Sequence, residues 1–411
     1  MINPAVLVWA RETAGLSVED AARRIGLSSG PRGNAADKLA AIESGERAPT
    51  RTQLARMASS YHRPLLSLYM AAPPRSADRG EDFRSLAMPA ATEETARLDA
   101  LVRDVRTRQS ILRELIIEDE ESERVACVGS LPITTPIAGA ASAIRALLGV
   151  DDTRASRQGL RAPEDLFAEL RRRIEAAGIF VVMIGDLGNY RSAISASIFR
   201  GFAVADDRAP LIVINDQDAK AAWSFTLVHE LVHIFVGSTG VSGAPTTIEA
   251  HTPLARVERF CNDVAGEVLL PNTALRAVGR LVTVEAVIAT TEALSDAWKV
   301  SGAMAAYRLW RTGKADVGAY RQVVAMFAER WRLKREREKE QESDSGPSYY
   351  VVRRHRLGEA LLTFVGRSLR ADLVTHTTAA KLLGVRLGAV EPLLAGIKGL
   401  GNPPPPARRR A

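Results

Sequence analysis

Apolar positions recur at helical spacing along most of the chain and bunch into short β-branched runs in one stretch only, so the pattern predicts a mostly helical protein with a small sheet. Up to about residue 70 it predicts five short helices. Residues 5–14 form one that Gly15 stops; Ser17 and Asp20 make a capping box for a second ending at Gly26; a third lies around 36–43; Thr50 and Gln53 cap the next, ahead of Leu54, Met57 and Ala58. Helices this short are marginal alone and must share a core. Residues 71–85, rich in proline, glycine and charge, read as an extended connector. Thr92 then opens a long amphipathic helix. Its stripe of Leu98, Leu101, Val102, Val105, Leu112, Leu115 and Ile116 suits either a homodimer seam or internal packing. A helix over 136–148 and a polar linker over 151–161 follow.

From about Pro163 the period changes. A helix over 163–177 leads at Gly178 into IFVVMI, the kind of run that forms a buried strand, and SASIFRGFAVAD and PLIVIND supply two more strands before a helix that is apolar on nearly every side. Thr252 and Pro253 start another helix that Pro271 ends; helices continue to Trp331, and RLKREREKEQESDSG reads as a frayed, solvated helix and linker. Residues 349–397 are helical again, with TTAAKLLGV as a second small helix-turn-helix element, and PPPPARRRA is a disordered basic tail. The expected divisions are 1–72, 73–150 (connector and amphipathic helices), 151–335 (the mixed domain), 336–348 (charged linker), 349–400 (C-terminal helical domain) and 401–411 (tail).

The apolar helix, WSFTLVHELVHIFVG at 223–237, carries the most specific chemistry. His229 and His233 are four residues apart, so on a helix both imidazoles point at one ion, while Glu230 leans to the side. This is the His-Glu-x-x-His spacing of zinc hydrolases, in which the glutamate is a general base and not a ligand. Buried histidines and a carboxylate need partners, and a cation satisfies all of them. For the third ligand the helix PLARVERFCNDVAGEVLLP offers Glu258, which spacing favours over Glu267 and His251; Glu267 reads as a solvated surface carboxylate. Asn262, one turn after Glu258, is placed to orient that ligand or a histidine. Tyr190, Arg191, Arg200 and His251 are candidates for a second oxyanion donor.

Composition trims the alternatives. The 411 residues suggest two to four domains, and 46% apolar content is ample for burial. There is no run near the roughly 20 apolar residues of a membrane span and no signal-peptide pattern at the start, so a cytoplasmic protein is expected. Cys127 and Cys261 fit a reducing compartment and are expected to be unbridged. A net charge of +7 permits nucleic-acid contact without requiring it, and 5% aromatic content argues against a stacking platform for single strands.

Two resemblances sharpen these expectations. Residues 1–72 resemble the helix-turn-helix module of the XRE (phage repressor and Cro-like) family through Ala21, Ile25, Gly26, Leu39, Ile42, Glu43, Gly45, Pro49 and Leu54. That resemblance implies a helix in a DNA major groove. Here, however, the base-reading positions are Ala40 and Ala41, and 29–34 is an extra segment; Lys38, Arg47 and Arg51 remain as phosphate contacts to double-stranded DNA, with a docking or dimerisation module as the alternative. The chain as a whole resembles an ImmA/IrrE-type metallopeptidase fused to such a module, through Pro73, Pro74 and Asp82 to Arg84 (PP…DFR), FRGFAVAD, INDQD, FTLVHELVH, ERFCNDVAGEVLLP and VSGAMAAYRL. The resemblance implies a zincin-like domain, Zn2+ on His229, His233 and Glu258, and a repressor-type protein substrate cleaved in a stress or phage response. Val232 stands where glycine is common in that family and Gly266 where alanine is. The fold class expected is thus α+β and mostly helical. The rivals in function are a transcriptional regulator whose zinc fold senses metal or ligand, and a toxin-antitoxin-like component acting by partner binding.

Overall fold

The computed structural model describes residues 2–30, 33–74, 92–118, 123–242, 252–340, 348–395 and 397. It is mostly helical with one small sheet, and the chain divides into two compact units, residues 1–107 with 186–199, and residues 108–185 with 200–411. No helix among the described residues is long and apolar enough to cross a membrane. The DFR part of the connector motif, the tail and His251 lie outside the described residues.

The first unit holds α1 (Pro4–Glu12), α2 (Val18–Ile25), α3 (Ala35–Glu43), α4 (Arg51–Ser60) and the start of α5 (Glu93–Glu118). The caps are those the sequence marks. Ser17 Oγ accepts the Asp20 N–H at 3.1 Å, Gly26 ends α2 at φ 77°, and Thr50 and Gln53 exchange bonds of 3.2 and 2.9 Å. A further box, Asn34 with Asp37, starts α3. The fifth short helix expected here is a 3₁₀ turn, Leu65–Tyr69, because Pro64 and Pro73–Pro74 leave room for little more. Leu7, Ile25, Leu39, Ile42, Met57, Tyr61 and Leu68 form the shared core. Arg11, buried, ties α1 to α3 by donating from Nε to Glu43 at 2.9 Å.

The second unit is built on a four-stranded sheet of β1 (Phe180–Met183), β2 (Gly201–Val204), β3 (Leu211–Ile214) and β4 (Gly240–Ser242), ordered β1-β3-β2-β4. β1 runs parallel to β3, and β2 is antiparallel to both β3 and β4, with Phe202 opposite Val213 and Val241. β4 was not expected, since three residues are too few to show a period. Around the sheet lie α6 (Ile137–Leu148), α7 (Pro163–Ala176), α8 (Lys220–Val236), α9 (Pro253–Leu269), α10 (Asn272–Leu275), α11 (Val284–Trp298), α12 (Gly302–Arg311) and α13 (Val317–Glu340). α14 (Tyr349–Leu357), α15 (Glu359–Arg370), α16 (His376–Leu383) and α17 (Val390–Leu394) complete the unit, with α14 and α15 against β1. Of the apolar stripe of α5, Leu98, Leu101, Val102, Val105, Leu112 and Ile116 are buried and Leu115 is half-buried. The stretch expected as a polar linker is a 3₁₀ turn, Arg154–Arg157, whose last arginine is buried.

α8 is the centre of this unit. Every residue from Ala222 to Phe235 is buried, and the helix ends at Gly237 in the left-handed region, φ 74°. Its last carbonyls are met by a segment distant in sequence: the Gly129 N–H donates to Ile234 O at 3.0 Å and the Leu131 N–H to Phe235 O at 2.8 Å. A side chain on Gly237 would lie 3.1 Å from the Gly129 Cα, so the close approach needs glycine there.

Candidate metal centre

α8 presents His229 and His233 one turn apart with ring centroids 4.9 Å apart, and α9 brings Glu258 across to them. His233 Nε2 lies 3.1 Å from His229 Nε2 and 3.2 Å from Glu258 Oε1, while His229 Nε2 lies 3.3 Å from Glu258 Oε2. Among the described residues this is the group of three His, Cys, Asp or Glu side chains that could hold a metal ion. The histidines are buried, at 4% and 1% exposure, and the Glu258 side chain keeps 25%, so the cluster is open on the glutamate side. Burial alone would raise the Glu258 carboxyl, but the two histidines' hydrogen bonds and charge outweigh it and hold the group well below the usual carboxylate range.

Glu230 is fully buried one residue along α8. β2 passes close to it. A Cβ on Gly201 would meet Thr226 Cγ2 at 2.7 Å, Val213 O at 2.9 Å and Glu230 Oε1 at 3.0 Å, so glycine is what lets the strand approach. Beneath the cluster, burial pushes the Cys261 thiol well up, and Glu258 and Glu230 add to that, which keeps it neutral; Cys127 and Cys261 are both free.

α9 is held in place by α12. Tyr307 Oη donates to Asp263 Oδ1 at 2.7 Å, Arg311 grips both Asp263 oxygens at 2.7 and 2.5 Å, and the buried Arg308 pairs with Glu267. Burial, with Asp263 beside it, drives the Tyr307 phenol far above its ordinary value, so it stays a donor. Sequence reasoning missed these ties, because salt partners 40 or more residues apart leave no local period. Glu267 corrects an expectation. It is not a solvated surface carboxylate but is 6% exposed, paired to Arg308, and accepts the Asn272 N–H at 3.1 Å. It is not part of the histidines' cluster, which includes Glu258 instead. Gly266 makes room for the same arginine: a Cβ there would sit 2.6 Å from Arg308 Cδ. Val232 is fully buried.

Asn262 is buried one turn beyond Glu258 on α9. Arg200 sits 3.8 Å from Asp218, an ion-pair distance. In the first unit Arg47 and Arg51 are exposed, whereas Lys38 is half-buried and donates to Ser28 O at 2.6 Å.

Residues 192–310 match the family model of the IrrE N-terminal-like domain, Peptidase_M78, a zinc-associated metallopeptidase family. The matched stretch contains His229, Glu230, His233 and Glu258 and supports the metallopeptidase part of the resemblance. No curated protein and no solved structure matches the chain.

Proposed function

We propose that this chain is a zinc-dependent endopeptidase, with His229, His233 and Glu258 as the ligands and Glu230 as the general base. One observation carries the reading: the two Nε2 atoms stand 3.1 Å apart, and each lies 3.2–3.3 Å from one oxygen of the Glu258 carboxylate, His233 from Oε1 and His229 from Oε2. An ion bound tetrahedrally at about 2.0–2.1 Å has ligand atoms roughly 3.3–3.4 Å apart, so two imidazoles and a carboxylate already stand at the right spacing. Two nitrogens and one oxygen suit zinc, and three protein ligands are the number found at catalytic sites. When bound, zinc supplies Lewis acidity and lowers the pKa of a water toward about 7. Glu230 has the separate task of moving the proton: its carboxylate takes one from the water that attacks the scissile carbonyl and gives it to the leaving amine. Fixing α9 through Asp263 and Glu267 keeps Glu258 where the ligand set needs it.

The substrate class we propose is a repressor-type regulatory protein, on the strength of the family resemblance and of a first unit whose capped α2 and α3 support an XRE-like reading. Exposed Arg47 and Arg51 favour contact between that unit and double-stranded DNA. A second reading, a regulator whose metal centre only senses, rests on the same exposed arginines.

One substitution separates the two. Glu230→Gln keeps size and removes the proton acceptor, so zinc should stay while cleavage falls by about 10²- to 10⁴-fold. The readout is a stress or reporter phenotype in cells carrying the wild type, Glu230→Gln or His233→Ala. If Glu230→Gln matches the wild type and only His233→Ala fails, the peptidase reading is withdrawn and the sensor stands.

A further inference from the structure

Away from the metal centre, the second unit contains an arginine whose environment does not account for it. Arg157 ends the 3₁₀ turn Arg154–Arg157 and is 4% exposed. Its Nη2 reaches Leu269 O at 3.4 Å and its guanidinium lies 5.9 Å from the Trp298 ring, but Nε and Nη1, both buried, have no hydrogen-bond partner among the described residues. Buried donors without acceptors are uncommon, and a buried cation without a paired anion more so.

Arg157 lines a cleft of about 500 Å³ together with Arg154, Gln158, Lys299 and Asp296. Three cations face one carboxylate there, and that carboxylate is turned outward: the Asp296 side chain is 87% exposed and binds Lys299 at 3.0 Å. Asp151 acts on Arg157 from a distance, while its own oxygen accepts from Thr153 at 2.8 and 2.7 Å. Arg145 and Arg173 add positive field; Arg145 Nη2 donates to Glu267 O, and Arg173 Nη1 to Leu148 O and Gly149 O. Burial brings Arg157 down to about 10, which still leaves it charged at neutral pH. What fits is a small group with several acceptor oxygens and two negative charges.

We propose that this cleft binds a phosphate-class oxyanion, with Arg157 as the buried anchor and Arg154 and Lys299 as contacts at the rim. The site is independent of the peptidase reading and shares no residue with it. Free phosphate and a phosphate carried on a nucleotide present the same chemistry, so both are tested.

The experiment is titration calorimetry on the full chain with inorganic phosphate and with AMP, at constant ionic strength set by chloride. Saturable binding is expected, accompanied by a rise in unfolding temperature at about 10 mM ligand. Binding by phosphate shows that the free ion suffices; binding by AMP alone assigns the site to a nucleotide-borne phosphate. Arg157→Met should weaken binding at least about tenfold. It should also unfold no earlier than the wild type without ligand, since it removes donors that had no partners; an arginine of purely structural value would give the opposite shift. If Arg157→Met does not fold, the double variant Arg154→Gln with Lys299→Gln, at the rim, should show the same weakening. Absence of saturable binding by both ligands, or unchanged affinity in the rim variant, overturns the proposal.

Discussion

Exchanging each of the two glutamates of α9, Glu258 and Glu267, for glutamine should separate metal binding from folding. Glu267→Gln removes the charge that faces the buried Arg308 while keeping the shape. Arg308 retains Leu270 O at 2.9 Å and Asn272 Oδ1 at 2.9 Å, but these are neutral acceptors, and Arg145, 3.6 Å from the carboxylate, loses its charge partner too. Removing one member of a buried pair costs about 3–5 kcal/mol, and the two remaining acceptors place this case near 3. For a unit of this size that is roughly 6 °C in the unfolding midpoint, at about 2 °C per kcal/mol. Glu258, a quarter exposed, should cost under about 1 kcal/mol in the metal-free protein. The assay is scanning calorimetry in chelator, followed by elemental analysis after zinc is resupplied. Glu267→Gln should melt early and bind one zinc; Glu258→Gln should melt normally and bind little. Zinc lost from Glu267→Gln but kept by Glu258→Gln would refute the ligand assignment, and a wild-type melting point for Glu267→Gln would refute the energetics.

Three more outcomes are expected. Gly201→Ala should lower stability by about 1–3 kcal/mol and depress peptidase activity with zinc retained, because the added methyl meets Thr226, Val213 O and Glu230 at 2.7–3.0 Å; urea midpoints and cleavage rates check this. His62 is held below its ordinary value first by burial and then by Arg97 and Arg24, so the unfolded chain takes up its proton first as pH falls; the stability this gives is complete above the unfolded value of about 6.5 and is lost progressively below it. Melting of the first unit between pH 7.5 and pH 5 should therefore flatten in His62→Asn, a residue that tolerates the positive φ at that position. If the first unit binds duplex DNA, affinity should fall steeply with salt, and Arg47→Ala or Arg51→Ala should weaken it without changing sequence preference, read by fluorescence anisotropy on several duplexes.

Features written in adjacent residues were legible in the sequence. The His-Glu-x-x-His spacing, the Gly237 stop, the Ser17 cap (one half of the expected box), the Thr50 box and the Thr252 start each depend on contacts within a few positions, and each is present. For the third ligand, spacing favoured Glu258 over Glu267 and the family resemblance pointed to the same residue, which stands with the two histidines in one cluster. Other features are tertiary and left no trace. Glu267 looks like any surface glutamate until Arg308, 41 residues on, is folded against it. Gly129, which closes the end of α8, reads only as a loop glycine, and the three-residue β4 takes its identity from β2 beside it.

The contact between Gly266 and Arg308 also constrains how this protein can change. Alanine at 266 would remove a helix-interior glycine worth about 1 kcal/mol against it, yet Arg308 Cδ occupies the space a methyl would need. Shortening Arg308 first would strand the Glu267 carboxylate in a dry interior, and neutralising Glu267 first would strand Arg308. Each single step is therefore downhill in fitness while the triple replacement is not, so the three positions are expected to be inherited as a block. A lineage carrying alanine at the equivalent of 266 should lack the arginine and the acid together, and chimeras that mix the two sets should unfold at a lower temperature than either matched set.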